Sequence, residues 1–217
     1  RAQYEESPYP RWVNIGIPSK GKSISEVFAK SNFHLYSESI TSVTLPAILV
    51  AGCGTGQHSL ETASFFSGCH VTAVDLSLAS LAYAKRKSNE LGFTNLEYLQ
   101  ADILDLRQIG REFDIIESGG VLHHMDEPMS GWKVLTDILR PGGLMKIGLY
   151  SELARQHIVG VRKEIAFLGL GTSATEIRDF RELCAESEIY DVKQLSTSSD
   201  FFSLSNFRDL VFHVQEH

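Results

Sequence analysis

Short apolar runs alternate with longer amphipathic segments over most of this chain. The apolar runs have the length and composition of buried strands, and they lie at 47–51, 70–74, 96–99, 113–118 and 144–150. Between them apolar residues recur at helical spacing, which together with an earlier segment predicts helices at 25–33, 57–66, 77–91, 103–109 and 128–139. Strand and helix therefore alternate from residue 47 onward.

This alternation predicts an α/β fold. Short strands joined by helices need crossover connections, which are right-handed and leave the strands parallel. We therefore expect a Rossmann-like, doubly wound and mostly parallel sheet with helices on both faces. Ligands of such sheets bind beyond the carboxyl ends of the strands.

The first residues differ from the rest, because their prolines exclude regular helix and interior strand. Tyr9 and Trp12 in this segment have two interpretations: aromatic side chains that pack a stiff linker on the domain, or a lid over a ligand or substrate. The expected division is an extended arm at 1–22 and a single domain at 23–217, with a core at 47–150 and a helical region at 151–217.

Composition narrows the class of protein. The 217 residues are 43% hydrophobic and carry a net charge of −7, which argues against a broad basic surface for nucleic acid. Three cysteines without CxxC spacing suggest neither a disulfide framework nor a metal site, and a cytoplasmic setting is expected. No apolar stretch is long enough to span a membrane. The chain begins with Arg1 rather than Met, so we expect it to be a piece of a longer protein.

The first predicted strand ends in three alternating glycines, Gly52, Gly54 and Gly56. Such a turn lets backbone approach a ligand closely, and the amides at the start of the next helix favour an electron-rich group. Asp75 ends the second strand, where an acid can accept ribose hydroxyls, and Asp102 follows the third. The alternatives are a tight turn without a ligand and two acids that cap the helices after them.

The glycine spacing distinguishes between cofactors. Dinucleotide-binding turns have the pattern G-x-G-x-x-G, with the third glycine in the first helical turn. Here the position of that third glycine is occupied by Gln57. A site for a pyrophosphate is therefore disfavoured, and with it a nicotinamide-dependent oxidoreductase.

Several motifs in order resemble one family. They are the sequence Gly-Cys-Gly-Thr-Gly at 52–56, the two acids, Val-Leu-His-His at 121–124 after the fourth strand, and Leu-Arg-Pro-Gly-Gly-Leu at 139–144. Together they are similar to class I S-adenosylmethionine-dependent methyltransferases over about residues 47–150. The resemblance implies an antiparallel strand pair after the fifth strand, and no such pair is evident; we expect it to be missing or replaced by helices at 151–168, 175–188 and 201–214.

The resemblance also implies which residues hold the cofactor. The glycine turn would pass beneath the methionine part, Asp75 would bind the ribose, Leu76 would pack on the adenine, and Asp102 would accept from the adenine amino group. Ser118 and Gly119 would line the sulfonium end. The implied contacts are Gly52, Cys53, Gly54, Thr55, Gly56, Gln57, Asp75, Leu76, Asp102, Ile103, Ser118 and Gly119.

Two positions near this site qualify the resemblance. The family often has an acid two residues before the first glycine, where this chain has Val50. His123 and His124 lie where a methyl acceptor would arrive, so that His123 is a candidate general base; the alternative is a packing or capping role for both.

The resemblance implies methyl transfer from S-adenosylmethionine to a small-molecule or protein acceptor, leaving S-adenosylhomocysteine. The alternatives are a module that binds the cofactor without turnover and the disfavoured oxidoreductase. The proline-rich arm resembles the junction in bacterial proteins with tetratricopeptide repeats ahead of such a domain, so a repeat region upstream is expected. An uncovered fifth strand would also favour a homodimer.

Overall fold

The computed structural model describes residues 8, 10, 12–31, 33–35, 37–151, 153–187 and 189–212. Tyr9, one of the two proposed lid residues, lies outside this set. The chain divides into two compact units, Arg1–Gly148 and Leu149–His217, which are described separately below. The single domain predicted for 23–217 stays a prediction.

The first unit is built on a five-stranded parallel sheet in the order β3-β2-β1-β4-β5. The predicted parallel α/β fold is confirmed. Four of the five strands end within one residue of their predicted bounds. The strands are β1 Ala47–Ala51, β2 His70–Asp75, β3 Leu96–Gln100, β4 Phe113–Gly119 and β5 Leu139–Gly148.

Both faces of the sheet are covered, which explains why its central strands are mostly apolar. Ile48 and Val50 of β1 pack on one face with Leu60, which belongs to the helix after β1. Leu49 packs on the other face with Leu135, which belongs to the helix before β5. The helices of the first unit are α1 Ile24–Phe28, α2 Gln57–Phe65, α3 Leu78–Glu90 and α4 Pro128–Asp137, and its 3₁₀ segments are Glu38–Ser42, Ile103–Ile109 and Leu122–His124.

The start of β5 differs from the prediction. The sequence predicts a helix to residue 139 and a strand from 144, whereas α4 ends at Asp137 and β5 begins at Leu139. Leu139 pairs with Phe113, and the next pair joins Leu144 to Ile115, so the proline and glycines between them form a bulge within the strand. Proline and glycine are local signals for a turn, but pairing with β4 extends the strand on both sides of them.

The second unit contains only helices among the residues that the structure describes. They are α5 Gln156–Phe167, α6 Ala174–Glu186, α7 Tyr190–Leu195 and α8 Leu204–Phe212, with short 3₁₀ segments at Leu153–Arg155 and Ser199–Phe202. Phe207, Ile177 and Leu195 are buried in its core. The expected replacement of a strand pair by helices agrees with this arrangement. In the described parts of the chain, none of the helices has the length and apolar content needed to cross a membrane.

Candidate functional site

The glycine turn lies at the carboxyl end of β1 and depends on glycine for its shape. Gly52, Gly54 and Gly56 have φ angles of 77°, 51° and 87°, a region that side chains other than glycine rarely adopt. A Cβ at Gly52 would lie 2.4 Å from a methyl carbon of Val121, and one at Gly56 would lie 2.6 Å from the Cβ of Ala84. Both dihedral angle and space therefore require these glycines.

The amides of this turn are used within the protein. The N–H groups of Gly52 and Cys53 both donate to the carbonyl of Val74, at 2.8 and 2.9 Å. The N–H of Gly54 donates to Asp75 Oδ2 at 2.7 Å. The backbone of the turn can therefore approach a ligand closely, but these three amides are already bonded within the protein. The N–H groups expected to bind an electron-rich group are those at the start of α2.

Asp75 is fixed beside the turn at the end of β2. Besides Gly54, its carboxylate accepts from the N–H of Ser77 at 2.9 Å through Oδ1. The cap of α3 is Ser77, whose hydroxyl accepts from the N–H of Ser80, so capping alone does not account for Asp75. The next side chain, Leu76, is apolar yet 42% exposed. An anchored acid and an exposed apolar side chain thus follow one another at this strand end.

Asp102 occupies the corresponding place after β3. Its Oδ1 accepts from the N–H of Leu104 at 2.9 Å, so the predicted capping role is real. Ile103 is buried and Leu104 is exposed. Because β2 and β3 are neighbours with Asp75 paired to Gln100, both acids lie at one edge of the sheet.

The arm contacts the glycine turn through Trp12, which is only 6% exposed. Its indole N–H donates to the carbonyl of Thr55 at 3.1 Å, and the hydroxyl of Thr55 donates to the carbonyl of Pro10. Tyr83 on α3 donates its hydroxyl to the carbonyl of Trp12, and the two rings meet edge to face. Gln57 instead extends along the surface of α2 to Glu61.

The end of β4 supplies the remaining predicted residues. Ser118 is fully buried, and in the described part of the chain its hydroxyl has no hydrogen-bond partner. A Cβ at Gly119 would meet nothing within 4 Å, so open space lies beside it. His123 is 5% exposed, and its ring lies 4.3 Å from that of His124, centroid to centroid. The structure thus brings both histidines close together after β4 and buries the first.

Sequence reasoning missed a buried polar cluster next to the turn. Glu117 on β4 accepts from the hydroxyl of Thr62 at 2.5 Å, and the Nε2 atom of His58 lies 3.1 Å from the same oxygen. Burial raises the pKa of Glu117, but the neighbouring His58 and the hydrogen bond from Thr62 lower it by more, so the pKa lies below its ordinary value. The signal for this cluster was a second acid, after Asp114, within a strand that is buried along most of its length.

Neither a reactive thiol nor a metal-binding cluster is found at the site among the described residues. Cys53 lies in the turn, where burial first and the charge of Asp75 second raise the pKa of its thiol well above the ordinary value. A thiol with a raised pKa is a poor nucleophile at neutral pH. Among the residues that the structure describes, no three His, Cys, Asp or Glu side chains are grouped to hold a metal ion.

Residues 48–143 match the family model of the methyltransferase domain. This segment resembles a methyltransferase domain, and it includes the glycine turn, Asp75 and Asp102. This chain is 36% identical over 124 residues to an uncharacterized protein of Synechococcus sp., covering 57% of this chain and 30% of that one. A ubiquinone biosynthesis O-methyltransferase of Cereibacter sphaeroides is 26% identical over 148 residues, covering 67% of this chain and 57% of that one.

A solved structure has a fold similar to that of this chain. It is PKMT2 from Rickettsia typhi, with a TM-score of 0.61, 21% identity, and coverage of 75% of this chain and 34% of that one. The chain thus spans about a third to just over half of the lengths of these proteins. A second structure of PKMT2, with a TM-score of 0.56 and 21% identity, is a complex with AdoHcy.

Proposed function

We propose that this chain transfers the methyl group of S-adenosylmethionine to a small-molecule or protein acceptor. The observation that carries the proposal is the glycine turn joined to Asp75 by the hydrogen bond from Gly54. That bond fixes an acid beside a turn whose shape only glycine allows. The match of residues 48–143 to the methyltransferase domain family supports the same function.

The residues present fit the cofactor in three respects. The turn at Gly52–Gly56 leads into α2, whose first amides would face the carboxylate of the methionine part. The carboxylate of Asp75 has about four acceptor positions and suits vicinal ribose hydroxyls. The open space at Gly119 and the unpartnered buried hydroxyl of Ser118 lie at the end of the adjacent strand β4, where the sulfonium would lie.

The adenine site is proposed at the ends of β2 and β3. Leu76 and Leu104 are exposed apolar side chains there, and burying them against a flat ring would be favourable. Asp102 keeps one carboxylate oxygen, Oδ1, on its cap bond to Leu104, which leaves Oδ2 for the amino group of adenine. Ile103 supports this wall from its buried position.

The protein would act mainly by alignment. When bound, S-adenosylmethionine supplies a methyl group already activated by the sulfonium charge. The turn and the two acids hold and orient the cofactor, so that an acceptor need only be placed in line. His123 would take a proton from an acceptor that is poorly ionised, and His124 would contact that acceptor.

Calorimetry tests the cofactor assignment directly. The chain is titrated with S-adenosylhomocysteine and, separately, with NAD. We expect saturable binding of S-adenosylhomocysteine and none of NAD, because Gln57 occupies the place of the third glycine in dinucleotide turns. Binding of NAD alone would overturn the methyltransferase proposal.

The role of His123 is tested after an acceptor is found. His123→Gln keeps a polar side chain but cannot titrate near neutrality. We expect a loss of turnover that is greatest at neutral to mildly alkaline pH, where an unprotonated imidazole can accept a proton, with unchanged affinity for S-adenosylhomocysteine. An unaltered pH profile would favour the packing role for this buried ring.

Features outside the cofactor site remain proposals as well. The contacts of Trp12 with the turn support the arm as a segment that closes on the turn, and Tyr9 is proposed to share that role.

In the described residues β5 has β4 as its one strand neighbour, which supports a homodimer formed at this edge. A concentration-independent monomer mass in sedimentation would exclude that dimer. A repeat region upstream and a cytoplasmic location are proposed on the resemblance alone.

A further inference from the structure

The two acids of the proposed site both belong to its adenosine half. Asp75 and Asp102 lie at the ends of β2 and β3. The methionine half of the cofactor carries an ammonium group at neutral pH, which needs a negative partner when it leaves water. Val50, directly below the turn on β1, is apolar and fully buried and cannot supply one.

The register of the sheet places an acid next to Val50. Val50 pairs with Glu117 on β4, and paired residues of parallel strands point to the same face of the sheet. Adjacent strands are about 4.8 Å apart. Glu117 is therefore one strand away from Val50 on the same face, and it lies two residues before Gly119, where open space begins.

The carboxylate of Glu117 is anchored through one of its oxygens. Thr62 and His58, both on the helix that follows the glycine turn, contact Oε2 at 2.5 and 3.1 Å. The other oxygen, Oε1, has Lys146 Nζ at 3.8 Å, and that side chain is 72% exposed. Within the described residues Oε1 accepts no hydrogen bond at normal distance. A buried carboxylate thus has one fixed oxygen and one oxygen that can accept.

The arrangement also supplies opposite charges for the two ends of an amino acid. The start of α2 carries the positive end of the helix dipole and suits a carboxylate. His58 and Thr62 lie in the first two turns of the same helix and hold Glu117 beside it. Positive and negative partners therefore lie close together at the methionine end of the turn.

We propose that Glu117 is the residue that binds the ammonium group of the methionine half of the cofactor. The inference rests on the proposed function and makes Glu117 a specificity residue. Glu117 would therefore favour ligands that carry the amino acid part of the cofactor over thionucleosides that lack it. His58 and Thr62 are positioning residues, because they act by holding the carboxylate.

Two ligands and two variants test this assignment by calorimetry. S-adenosylhomocysteine carries the amino acid, and 5′-methylthioadenosine has the same nucleoside without it. In Glu117→Gln we expect affinity for S-adenosylhomocysteine to fall about 10- to 100-fold, the loss of one charge-assisted hydrogen bond, with affinity for 5′-methylthioadenosine unchanged. Circular dichroism confirms that the variant is folded.

Glu97→Gln is the matched control. Glu97 on β3 also accepts from a threonine hydroxyl, that of Thr72, and lies near a histidine, His70, and a basic side chain, Arg111. Its pairing with Thr72 places it near the amino end of the strands, away from the turn. We expect this variant to bind both ligands as the unmodified chain does.

The outcomes separate the inference from the function on which it rests. If the unmodified chain binds neither ligand, the proposed function fails and the inference with it. If it binds both, an equal loss for both ligands in Glu117→Gln, or no loss for either, overturns the inference alone. Where Glu117→Gln does not fold, Glu117→Asp keeps the charge and withdraws the carboxylate by one methylene. This variant should weaken the binding of S-adenosylhomocysteine selectively, and equal effects on the binding of both ligands again overturn the inference.

Discussion

Replacing Trp12 by phenylalanine tests whether the arm is part of the folded domain. The change keeps an aromatic ring but removes the indole N–H that donates to the buried carbonyl of Thr55. A buried acceptor left without its donor costs about 1–3 kcal/mol. The smaller ring also loses contact with Tyr83, whose centroid is 5.9 Å away, which adds about 1 kcal/mol. We expect the free energy of unfolding of the first unit to fall by about 2–4 kcal/mol.

Urea unfolding followed by tryptophan fluorescence measures this change in the right part of the chain. The protein has two tryptophans, and both Trp12 and Trp132 belong to the first unit. In Trp12→Phe the remaining Trp132 reports on the sheet without a signal from the helical unit. The midpoint should decrease at unchanged slope, as expected for a loss of stability alone.

The neighbouring position provides the control. Val13 is 79% exposed, so Val13→Ala should change stability by less than about 0.5 kcal/mol. A Trp12→Phe effect no larger than that of Val13→Ala would refute the docked arm. The arm would then be a linker, and its role as a closing segment would fail.

Three further predictions concern the turn and its acids. Asp75→Asn should weaken S-adenosylhomocysteine about 10- to 100-fold in calorimetry, since a charged acceptor for the ribose is lost; unchanged affinity would show the ribose assignment to be wrong. Gly56→Ala should destabilise the first unit by at least about 2 kcal/mol in urea unfolding, because φ is 87° and the new Cβ would lie 2.6 Å from Ala84; a wild-type midpoint would contradict this. The pKa of Glu117 is lowered on folding, so its charge stabilises the fold above about pH 4.3 and this contribution is lost as the pH falls through the folded-state pKa. Glu117→Gln should flatten the acid side of the stability curve below that pH, and an identical curve would exclude the contribution.

The sheet could be predicted from the sequence because its strands are buried on both faces. Such strands appear as continuous apolar runs, and their bounds follow from local composition. The start of β5 could not be predicted in this way. Gly142, with a φ of 79°, and the proline before it are local signals for a turn, whereas the strand continues because Leu139 pairs with Phe113. Pairing between strands depends on a neighbour that is distant in sequence.

The candidate site was predictable only in part for the same reason. The alternating glycines and Asp75 are recognisable because backbone conformation and strand position impose them locally. Glu117 was not singled out, because its partner Thr62 is 55 residues away in the sequence. The role proposed for Glu117 depends on the strand register that places it beside Val50.

The sequence by itself determined the order of strands and helices, the position of the glycine turn and the resemblance to methyltransferases. These properties depend on residues close together in the chain, where periodicity and backbone conformation act. Only the tertiary structure decided that the amides of Gly52 and Cys53 donate to the carbonyl of Val74 and that Trp12 contacts the turn. It also decided that Glu117 is anchored by Thr62 beside the turn. Each of these contacts joins segments that meet only when the sheet and its helices have packed together.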